Sequence, residues 1–303
     1  MKKGCRLLVP DGSLEKVVHQ LLADAGLRVS YPDGDRSYQG VIGNERLFPP
    51  PFNVVTKMRP WDAVWVVADG KAELAFVGED LVQESGFADK VCIIDTYPLS
   101  RGGVGFTKLV VAVPKESTIN QLRDIKPGQQ MVTEYPNIAR SWCDQNGLSP
   151  KIRSCHGSLE AFRDIADLIL ENTETGSSLT VNSWRVITEV MTVRTALITN
   201  PAVLGNKDQV KIIEDFKLLL SSVIEARPRL ILKCNVLTEK VDVDRVVAFL
   251  PALSSPTKSA LANGKGYALE SVVDAKALEW LIPGLRDLGA SAIVAIGIDR
   301  FVG

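Results

Sequence analysis

The sequence lacks several features that would assign it to a class at once. Its longest apolar runs, such as KLVVAVP and VCIID, stop far short of the roughly 20 residues that a membrane-spanning helix needs. The N-terminal stretch MKKGCRLLVPDGS has an apolar run much shorter than that of a signal peptide, which is usually about 7–15 residues long. We therefore expect a cytoplasmic protein that does not bind a membrane.

Cysteine and histidine are scarce and scattered. The five cysteines form no CxxC pair, and the chain has two histidines. This pattern argues against a disulfide framework and against a structural zinc site. Charge of either sign is not in excess, with 35 Lys plus Arg against 36 Asp plus Glu, so no global field attracts nucleic acid. Any anion must therefore bind at a local site.

Short β-rich apolar runs alternate with segments of helical period along most of the chain. CRLLVP, for example, precedes SLEKVVHQLLADAG, whose apolar residues follow helical spacing and end at Gly26. Such alternation predicts βαβ units and sheets of mainly parallel strands. A second block with the same order begins near residue 108. We therefore expect two α/β lobes.

The C-terminal part has a pattern of its own. An amphipathic segment over residues 207–227 predicts one long helix. After it, LILKCNV, VDVDRVVAFLPAL, GYALESVV, DAKALEWLIPGLRDLG and SAIVAIGI indicate strand, helix, strand, helix and strand, and SPTKSAL is a candidate for a further strand. This order is typical of a ferredoxin-like domain.

The segment ILENTETGSSLT, residues 169–180, is a candidate phosphate-binding loop. Its glycine lets the backbone approach an anion closely, and the hydroxyls around it are hydrogen-bond donors. Its acids, Glu171 and Glu174, are candidates to accept hydrogen bonds from ribose hydroxyls or to approach a bound Mg²⁺. The sequence has no Walker pattern GxxxxGK[ST]. On residue chemistry alone, a plain polar turn is an equal alternative.

Six motifs follow one another with characteristic spacing: VPDGSL (9–14), RPWDAVWVVADGKAELAFVGEDLVQE (59–84), GFTKLVVAVP (105–114), TEYPNIARSWCDQNG (133–147), GSLEAF (157–162) and ETGSSL (174–179). Together they resemble the ATP phosphoribosyltransferases of histidine biosynthesis. The tail, with CNV at 234–236 and LPALSSPTKSAL at 250–261, is similar to the regulatory domain of that family's long form. The resemblance covers nearly the whole chain and is more specific than any single motif.

The resemblance implies an α/β protein with two lobes of the type II periplasmic-binding-protein kind and a C-terminal ferredoxin-like, ACT-like regulatory domain. Residues 1–107 and 185–226 are expected to form the first lobe. Residues 108–184 are expected to form the second lobe with the phosphate loop, and residues 227–303 the regulatory domain. The resemblance also implies a homo-oligomer, either a dimer or a hexamer.

The family's reaction joins ATP to phosphoribosyl pyrophosphate in the first step of histidine biosynthesis. The adenine N1 displaces pyrophosphate from C1 of the ribose in the presence of Mg²⁺, which is carried mainly by the substrate pyrophosphate, so protein ligands to the metal stay unassigned. Histidine is expected to bind the third domain as a feedback inhibitor. Because both substrates are polyanions, positioning and electrostatic stabilisation of the leaving pyrophosphate are the main catalytic tasks.

Residue-by-residue transfer of the family's site gives named candidates. Glu171 takes the place of the ribose-binding acid, and Arg59 offers a guanidinium to a phosphate. These two are the catalytic candidates. The substrate-binding candidates are Gly12, Gly78, Glu79, Asp80, Tyr135, Glu160 and Glu174, with Thr175, Gly176, Ser177, Ser178 and Leu179 holding the 5-phosphate. The regulatory candidates are Asn235, Leu253, Thr257 and Ala292.

Three places depart from the family's pattern. The family's Pro-Lys-Gly-Arg-Leu reads PDGSL at residues 10–14, so Asp11 and Ser13 replace two cations. The segment 157–167 is shorter than usual, and Glu174 adds an acid that we expect to face the phosphate. The candidates to restore positive charge from other directions are Lys57, Arg101 and Lys108.

These departures leave alternatives open. One is a catalytically weakened paralogue that acts as a regulatory subunit or as a small-ligand sensor with the same cleft. Another, on fold alone, is a binding protein for an amino acid or an anion. The tryptophans Trp61 and Trp65 lie four residues apart on a predicted helix, and we interpret them as packing residues and not as a surface for base stacking.

Overall fold

The computed structural model describes residues 4–239, 241–251 and 255–303. The chain divides into two units, one ending at Phe216 and the other beginning at Lys217. The division falls inside α7 (Lys207–Ala226), the helix that the sequence predicts over residues 207–227. The C-terminal unit therefore begins earlier than residue 227, the boundary expected from the sequence.

The first lobe is a seven-stranded sheet with helices. Its strands are β1 (Leu7–Pro10), β2 (Val29–Ser30), β3 (Gln39–Ile42), β4 (Val54–Met58), β5 (Leu74–Gly78), β6 (Cys92–Tyr97) and β14 (Thr195–Thr199). They are arranged in the order β2-β3-β4-β1-β5-β14-β6, with β1 parallel to both β4 and β5. Its helices are α1 (Glu15–Asp24), α2 (Pro60–Ala68), α3 (Glu79–Glu84) and α6 (Pro201–Leu204).

Helix α1 shows how the local sequence produces this lobe. Val18, Leu21 and Leu22 are buried, as their helical spacing predicts. The helix ends before Gly26, which has a φ of 75° and donates its N–H to the carbonyl of Ala23. Glycine adopts this left-handed conformation without a Cβ penalty, so it closes the helix and turns the chain towards the next strand.

The second lobe contains a five-stranded sheet in the order β11-β10-β12-β9-β13. Its strands are β9 (Thr107–Pro114), β10 (Gln130–Thr133), β11 (Lys151–Ser154), β12 (Leu168–Thr173) and β13 (Trp184–Val193). Its helices are α4 (Pro136–Gln145) and α5 (Ser177–Val181), and a small hairpin of β7 (Leu99–Ser100) and β8 (Gly103–Val104) precedes it. One apolar cluster runs through both lobes, from Val64 and Val77 of the first to Leu109 and Leu170 of the second.

The chain passes twice between the lobes, as in type II binding proteins. The first strand after the first passage is β9, which pairs antiparallel with β12 in the second sheet. The first strand after the return is β14, which pairs antiparallel with β5 in the first sheet. The expected boundary at residues 184 and 185 differs from the observed pairing, because β13 pairs with β9 in the second sheet and the return comes only before Thr195. Two register shifts in β13 break its alternation of apolar and polar residues, which removes the sequence signal for a strand.

The C-terminal unit contains a four-stranded antiparallel sheet. Its elements are β15 (Arg229–Leu237), α8 (Val243–Phe249), β16 (Thr257–Ala260), β17 (Gly266–Asp274), α9 (Leu278–Asp287) and β18 (Ser291–Gly297). The strand order β16-β17-β15-β18 and the βαββαβ sequence of elements confirm the ferredoxin-like prediction. Leu232, Val246, Leu269 and Leu281 belong to its separate core. In the described parts of both units, no helix combines the length and the apolarity that a membrane crossing requires.

Candidate active site

A cleft lies where the strand ends of the two lobes face each other. In the first lobe, β1, β4 and β5 end just before Asp11, Arg59 and Glu79. In the second lobe, the parallel strands β10 and β12 end at Thr133 and Thr173. The carboxyl ends of parallel strands are the usual ligand edge of an α/β sheet. Two adjoining cavities of about 280 Å³ and about 760 Å³ occupy this region.

The two cavities share one wall, formed by Arg101, Thr107, Glu134, Glu171 and Asn172. Of the predicted site residues, the smaller cavity is lined by Arg59, Gly78, Asp80, Tyr135 and Glu171. The larger cavity is lined by Glu160, Glu171, Glu174, Thr175, Ser177 and Ser178. Gly12, Glu79, Gly176 and Leu179 are not among the lining residues. The side chain of Leu179 is buried in the core of the second lobe, so only its backbone is available to a ligand.

Arg59 is held over the loop that follows β1. Its Nε lies 3.3 Å from Oδ2 of Asp11, and a Cβ added to Gly12 would come within 2.9 Å of its Nη1. Gly12 therefore contributes space for the guanidinium. Arg59 enters the cleft with its charge partly balanced by a carboxylate of the same lobe.

The turn from Gly78 to Asp80 joins the lobes. Glu79 accepts a hydrogen bond from the backbone N–H of Arg194 at 2.9 Å, which turns its carboxylate to the start of β14. Asp80 is buried, and it accepts hydrogen bonds from Leu81 N–H at 2.9 Å and from Asn172 Nδ2 at 3.1 Å. Burial raises the pKa of Asp80, against hydrogen bonds from Tyr135, Leu81 and Asn172 that lower it. Its carboxyl group therefore bridges first-lobe and second-lobe residues at the cleft.

Tyr135 and Trp61 form an aromatic pair on the cleft wall. Their ring centroids lie 5.4 Å apart at an interplanar angle of 37°. Tyr135 is buried and Trp61 is 38% exposed. The packing role predicted for Trp61 agrees with this contact, but Trp61 also lines the cavity, which helical spacing alone did not indicate.

A second carboxylate of α3 joins the lobes next to Asp80. Glu84 is buried, and its two carboxylate oxygens accept the backbone N–H of Asn137 at 3.0 and 2.9 Å and that of Ile138 at 2.9 Å. Burial raises its pKa, and the two amides oppose that shift. Glu84 thus caps the first turn of α4. Sequence reasoning missed this role, because the cap and its helix lie in different lobes.

The loop between β12 and α5 supplies polar groups to the larger cavity. Gly176 has a φ of 76°, and its N–H donates to Thr173 Oγ1 at 2.9 Å. Ser177 N–H lies 3.3 Å from Thr175 Oγ1, and these two side chains are hydrogen-bonded at 2.7 Å. The following amides, in the first turn of α5, have no hydrogen-bond acceptor within the described residues. Those amides and the Thr175–Ser177 hydroxyl pair are the donors that the loop presents to an anion. The hydroxyl of Ser178 donates to Oε1 of Glu160 at 2.5 Å.

Glu171 lies near the end of β12, on the wall that both cavities share. Burial raises its pKa to about 8, and the nearby charges of Glu160 and Glu134 act in the same direction. The hydrogen bond from Asn172 N–H at 2.8 Å and the charge of Arg101 oppose the shift. Glu171 is therefore mostly protonated at neutral pH, when the cleft is empty.

The positive charge at the cleft comes from arginines and not from Lys57 or Lys108. Lys57 is paired with Glu15 at 3.0 Å, and Lys108 with Glu189 at 2.6 Å; neither lines the cavities. The arginines that line the smaller cavity are Arg59, Arg101 and Arg194. Sequence reasoning named Arg101 only as one of three candidates and missed Arg194, which follows β13 at the return to the first lobe. Because the sequence did not predict β13, it did not indicate where Arg194 lies.

The regulatory candidates occupy the C-terminal sheet. Asn235 on β15 pairs with Ser291, whose hydroxyl donates to the Asn235 carbonyl at 3.3 Å. Ala292 follows with a φ of 47°, next to a register shift between β15 and β18. Thr257 begins β16, on the opposite edge of the sheet. Asn235 and Ala292 are thus brought together and Thr257 is not, while Leu253 falls outside the described residues.

The family models and the curated relatives give the same family. The model of the ATP phosphoribosyltransferase family matches residues 59–221, and that of the HisG C-terminal domain matches residues 226–300. The chain is 31% identical to an ATP phosphoribosyltransferase of Methanocaldococcus jannaschii, over 96% of this chain and 97% of the relative. It is 32% identical to one of Pelodictyon phaeoclathratiforme, over 98% and 97%.

Among solved structures, the ATP phosphoribosyl transferase (HisG:HisZ) complex from Thermotoga maritima has the same fold, with a TM-score of 0.57 and 23% identity. That match covers 72% of this chain and 98% of the other chain. The family models together span most of the chain, and the relatives match it over nearly its full length. The chain therefore belongs to the ATP phosphoribosyltransferase family, the enzymes of the first step of histidine biosynthesis.

Proposed function

We propose that the cleft between the two lobes is the active site in which this chain transfers the phosphoribosyl group to ATP. The adenine N1 forms a bond to C1 of the ribose, while the bond from C1 to the pyrophosphate oxygen breaks and its electron pair leaves with pyrophosphate. One observation carries the proposal: polar loops of both lobes and three arginines line a shared cleft. Such a site acts by positioning and by electrostatic stabilisation of the leaving group.

The larger cavity suits the phosphoribosyl group. The residues Thr175, Ser177 and Ser178 line it. The hydroxyls of Thr175 and Ser177, with the first amides of α5, would bind the 5-phosphate. Glu171, at the shared wall, would accept hydrogen bonds from the ribose hydroxyls. Arg101 also lies on that wall, where a guanidinium would meet the pyrophosphate.

The smaller cavity suits the nucleotide. The Trp61 and Tyr135 rings offer an aromatic surface beside the Gly78 to Asp80 turn, and Arg59 stands at the same cavity for a phosphate. Magnesium is proposed to enter with the substrate pyrophosphate. The described residues contain no group of three His, Cys, Asp or Glu side chains suited to a metal ion.

Regulation and assembly are proposed from the family. The C-terminal domain would bind histidine as an inhibitor near Asn235 and Ala292, and the chain would form a homo-oligomer. The similarity of the C-terminal segment to the HisG C-terminal domain supports the first proposal. The cytoplasmic location stays a prediction from the sequence.

The test is an assay for phosphoribosyl-ATP with ATP, phosphoribosyl pyrophosphate and Mg²⁺, run with and without histidine. We expect product, and less of it when histidine is added. Calorimetric titration with phosphoribosyl pyrophosphate provides a second readout. A well-folded protein that forms no product and binds no phosphoribosyl pyrophosphate would overturn the proposal.

Replacing Asp11 by asparagine is expected to lower the KM for ATP by up to about fivefold, the effect of one partly exposed ion pair. The substitution releases Arg59 from its 3.3 Å pairing and removes an anion from a cleft that binds polyanions. The matched control is Asp164→Asn, which breaks an exposed Asp–Arg pair of 3.2 Å and should leave KM unchanged. A higher KM for Asp11→Asn would show that the pair positions Arg59 productively.

A further inference from the structure

The β7–β8 hairpin is anchored to the phosphate loop by one carboxylate. The hydroxyl of Ser100 donates a hydrogen bond to Oε1 of Glu174, and the backbone N–H of Gly102 donates to the same oxygen at 3.1 Å. Ser100 is 1% exposed, so its hydroxyl needs a partner inside the protein. Ser100 and Gly102, which supply the two donors, come directly before and after Arg101. The backbone is therefore restrained on both sides of Arg101.

The contact is closely fitted at Gly102. A Cβ at this position would come within 2.9 Å of Oε1 of Glu174. Any other residue would therefore push the carboxylate away from its donors or move the hairpin. Because glycine has no Cβ, Gly102 permits the loop and the hairpin to approach this closely.

Arg101 is the residue that this contact presents to the cleft. It lines both cavities, on the wall that they share with Glu171. Its side chain is exposed, so packing alone does not fix its position. The hydrogen bonds to the residues before and after it restrict its backbone instead.

We propose that Glu174 is a positioning residue, which holds the β7–β8 hairpin so that Arg101 reaches the pyrophosphate of the bound substrate. The inference rests on the proposed binding of phosphoribosyl pyrophosphate in the cleft. It differs from the expectation from the sequence, in which Glu174 is a substrate-binding candidate and an acid that faces the phosphate. In the structure, Oε1 of Glu174 accepts hydrogen bonds from two donors of the hairpin. These bonds keep Arg101, and therefore a guanidinium group, next to the loop.

The test is a calorimetric titration of phosphoribosyl pyrophosphate into the wild type, Glu174→Ala, Arg101→Ala and the double variant. We expect Arg101→Ala to weaken binding at least about 10-fold, since a charged hydrogen bond to phosphate is lost. Glu174→Ala is expected to weaken it about 5- to 10-fold by releasing the hairpin. The double variant should bind as Arg101→Ala does, because Glu174 acts through Arg101.

Conservative variants separate positioning from charge. Glu174→Gln keeps an oxygen that can accept both hydrogen bonds, so its affinity should stay within about threefold of the wild type. Ser100→Ala removes one of the two donors and should fall between the wild type and Glu174→Ala. Glu116→Ala, which removes an exposed carboxylate paired with Arg163 in the same lobe, should have no effect.

Three outcomes would overturn the inference. Tighter binding by Glu174→Ala would show that the acid only repels the substrate. Additive losses in the double variant would show that Glu174 and Arg101 act independently, and an unchanged affinity for Glu174→Ala would show that the contact has no role. If the wild type itself binds no phosphoribosyl pyrophosphate, the proposed function fails and the inference falls with it.

Discussion

Replacing Glu171 by glutamine is expected to stabilise the protein by about 3 kcal/mol at pH 7, and by more at pH 9. Burial raises the pKa of Glu171 to about 8, while in the unfolded chain it titrates near 4.5. Protonating or ionising this partly buried carboxyl group at neutral pH therefore opposes folding. A glutamine carries no charge, and its side-chain oxygen still accepts the Asn172 N–H that Glu171 accepts at 2.8 Å.

The pH dependence has a definite sign. Between the two pKa values the folded protein binds a proton that the unfolded chain lacks, so the contribution of Glu171 to stability is fully present below about pH 4.5 and is lost as pH rises through about 8. Urea unfolding at pH 5, 7 and 9 should show a growing advantage of Glu171→Gln. Glu116→Gln is the control, since the pKa of that exposed carboxylate is lowered and no gain is expected over this range.

Above about pH 8, where Glu171 is ionised, the same substitution is expected to reduce kcat/KM about 10- to 100-fold, the effect of losing charged hydrogen bonds to the ribose hydroxyls. If the carboxylate is the active form, the wild-type kcat/KM should rise with pH through about 8, and that rise should be absent in Glu171→Gln. Stability gained together with activity lost is typical of a functional buried acid. A variant that is both less stable and equally active would contradict the assigned role.

Replacing Gly78 by alanine is expected to destabilise the protein by about 3 kcal/mol, within the range for overpacking a buried site. A Cβ at Gly78 would overlap Oδ1 of Asp80. That carboxyl group is buried and accepts hydrogen bonds from Leu81 and Asn172, so it has no free space to move into. Displacing it breaks a bridge between the lobes, and we expect a rise in KM for both substrates.

The measurement is urea unfolding together with steady-state kinetics. Gly205→Ala is the matched control, because Gly205 has an ordinary helical conformation and its Cβ would lie 3.5 Å from the Ala202 carbonyl oxygen. It should change stability by less than about 0.5 kcal/mol. Asp80→Asn, which keeps the shape of the side chain, should lose less than Gly78→Ala. Equal stabilities of Gly78→Ala and the wild type would mean that Asp80 can leave its bridge freely.

The architecture was readable from the sequence because it depends on periodicity. Val18, Leu21 and Leu22 form the buried stripe of α1, and the βαββαβ order of the C-terminal segment produces the observed four-stranded sheet. The main miss is β13, because its bulges interrupt the alternation by which a strand is recognised. For the same reason, the sequence did not indicate that Arg194, which follows β13, lines the cleft.

The sequence indicated which segments adjoin the cleft, but not the contacts that their side chains make. The segment around Gly176 and the turn at Gly78 adjoin the cleft as expected. The direction of each side chain was not predictable, because it depends on partners remote in sequence: Glu79 turns to Arg194, and Glu174 turns to the β7–β8 hairpin. Local sequence determines which elements form, and only the packed lobes determine which acceptors those carboxylates meet.

The cap that Glu84 places on α4 has an electrostatic consequence for how the cleft recognises its ligand. The first amides of a helix carry partial positive charge, and in many α/β proteins this end attracts the ligand's phosphate. In this protein a carboxylate of the neighbouring lobe already occupies that end of α4. Separating the lobes there would expose both the helix dipole and its counter-charge to solvent, so their attraction stabilises this contact between the lobes. In the proposed site, phosphate would therefore be bound by guanidinium groups and by the loop around Gly176.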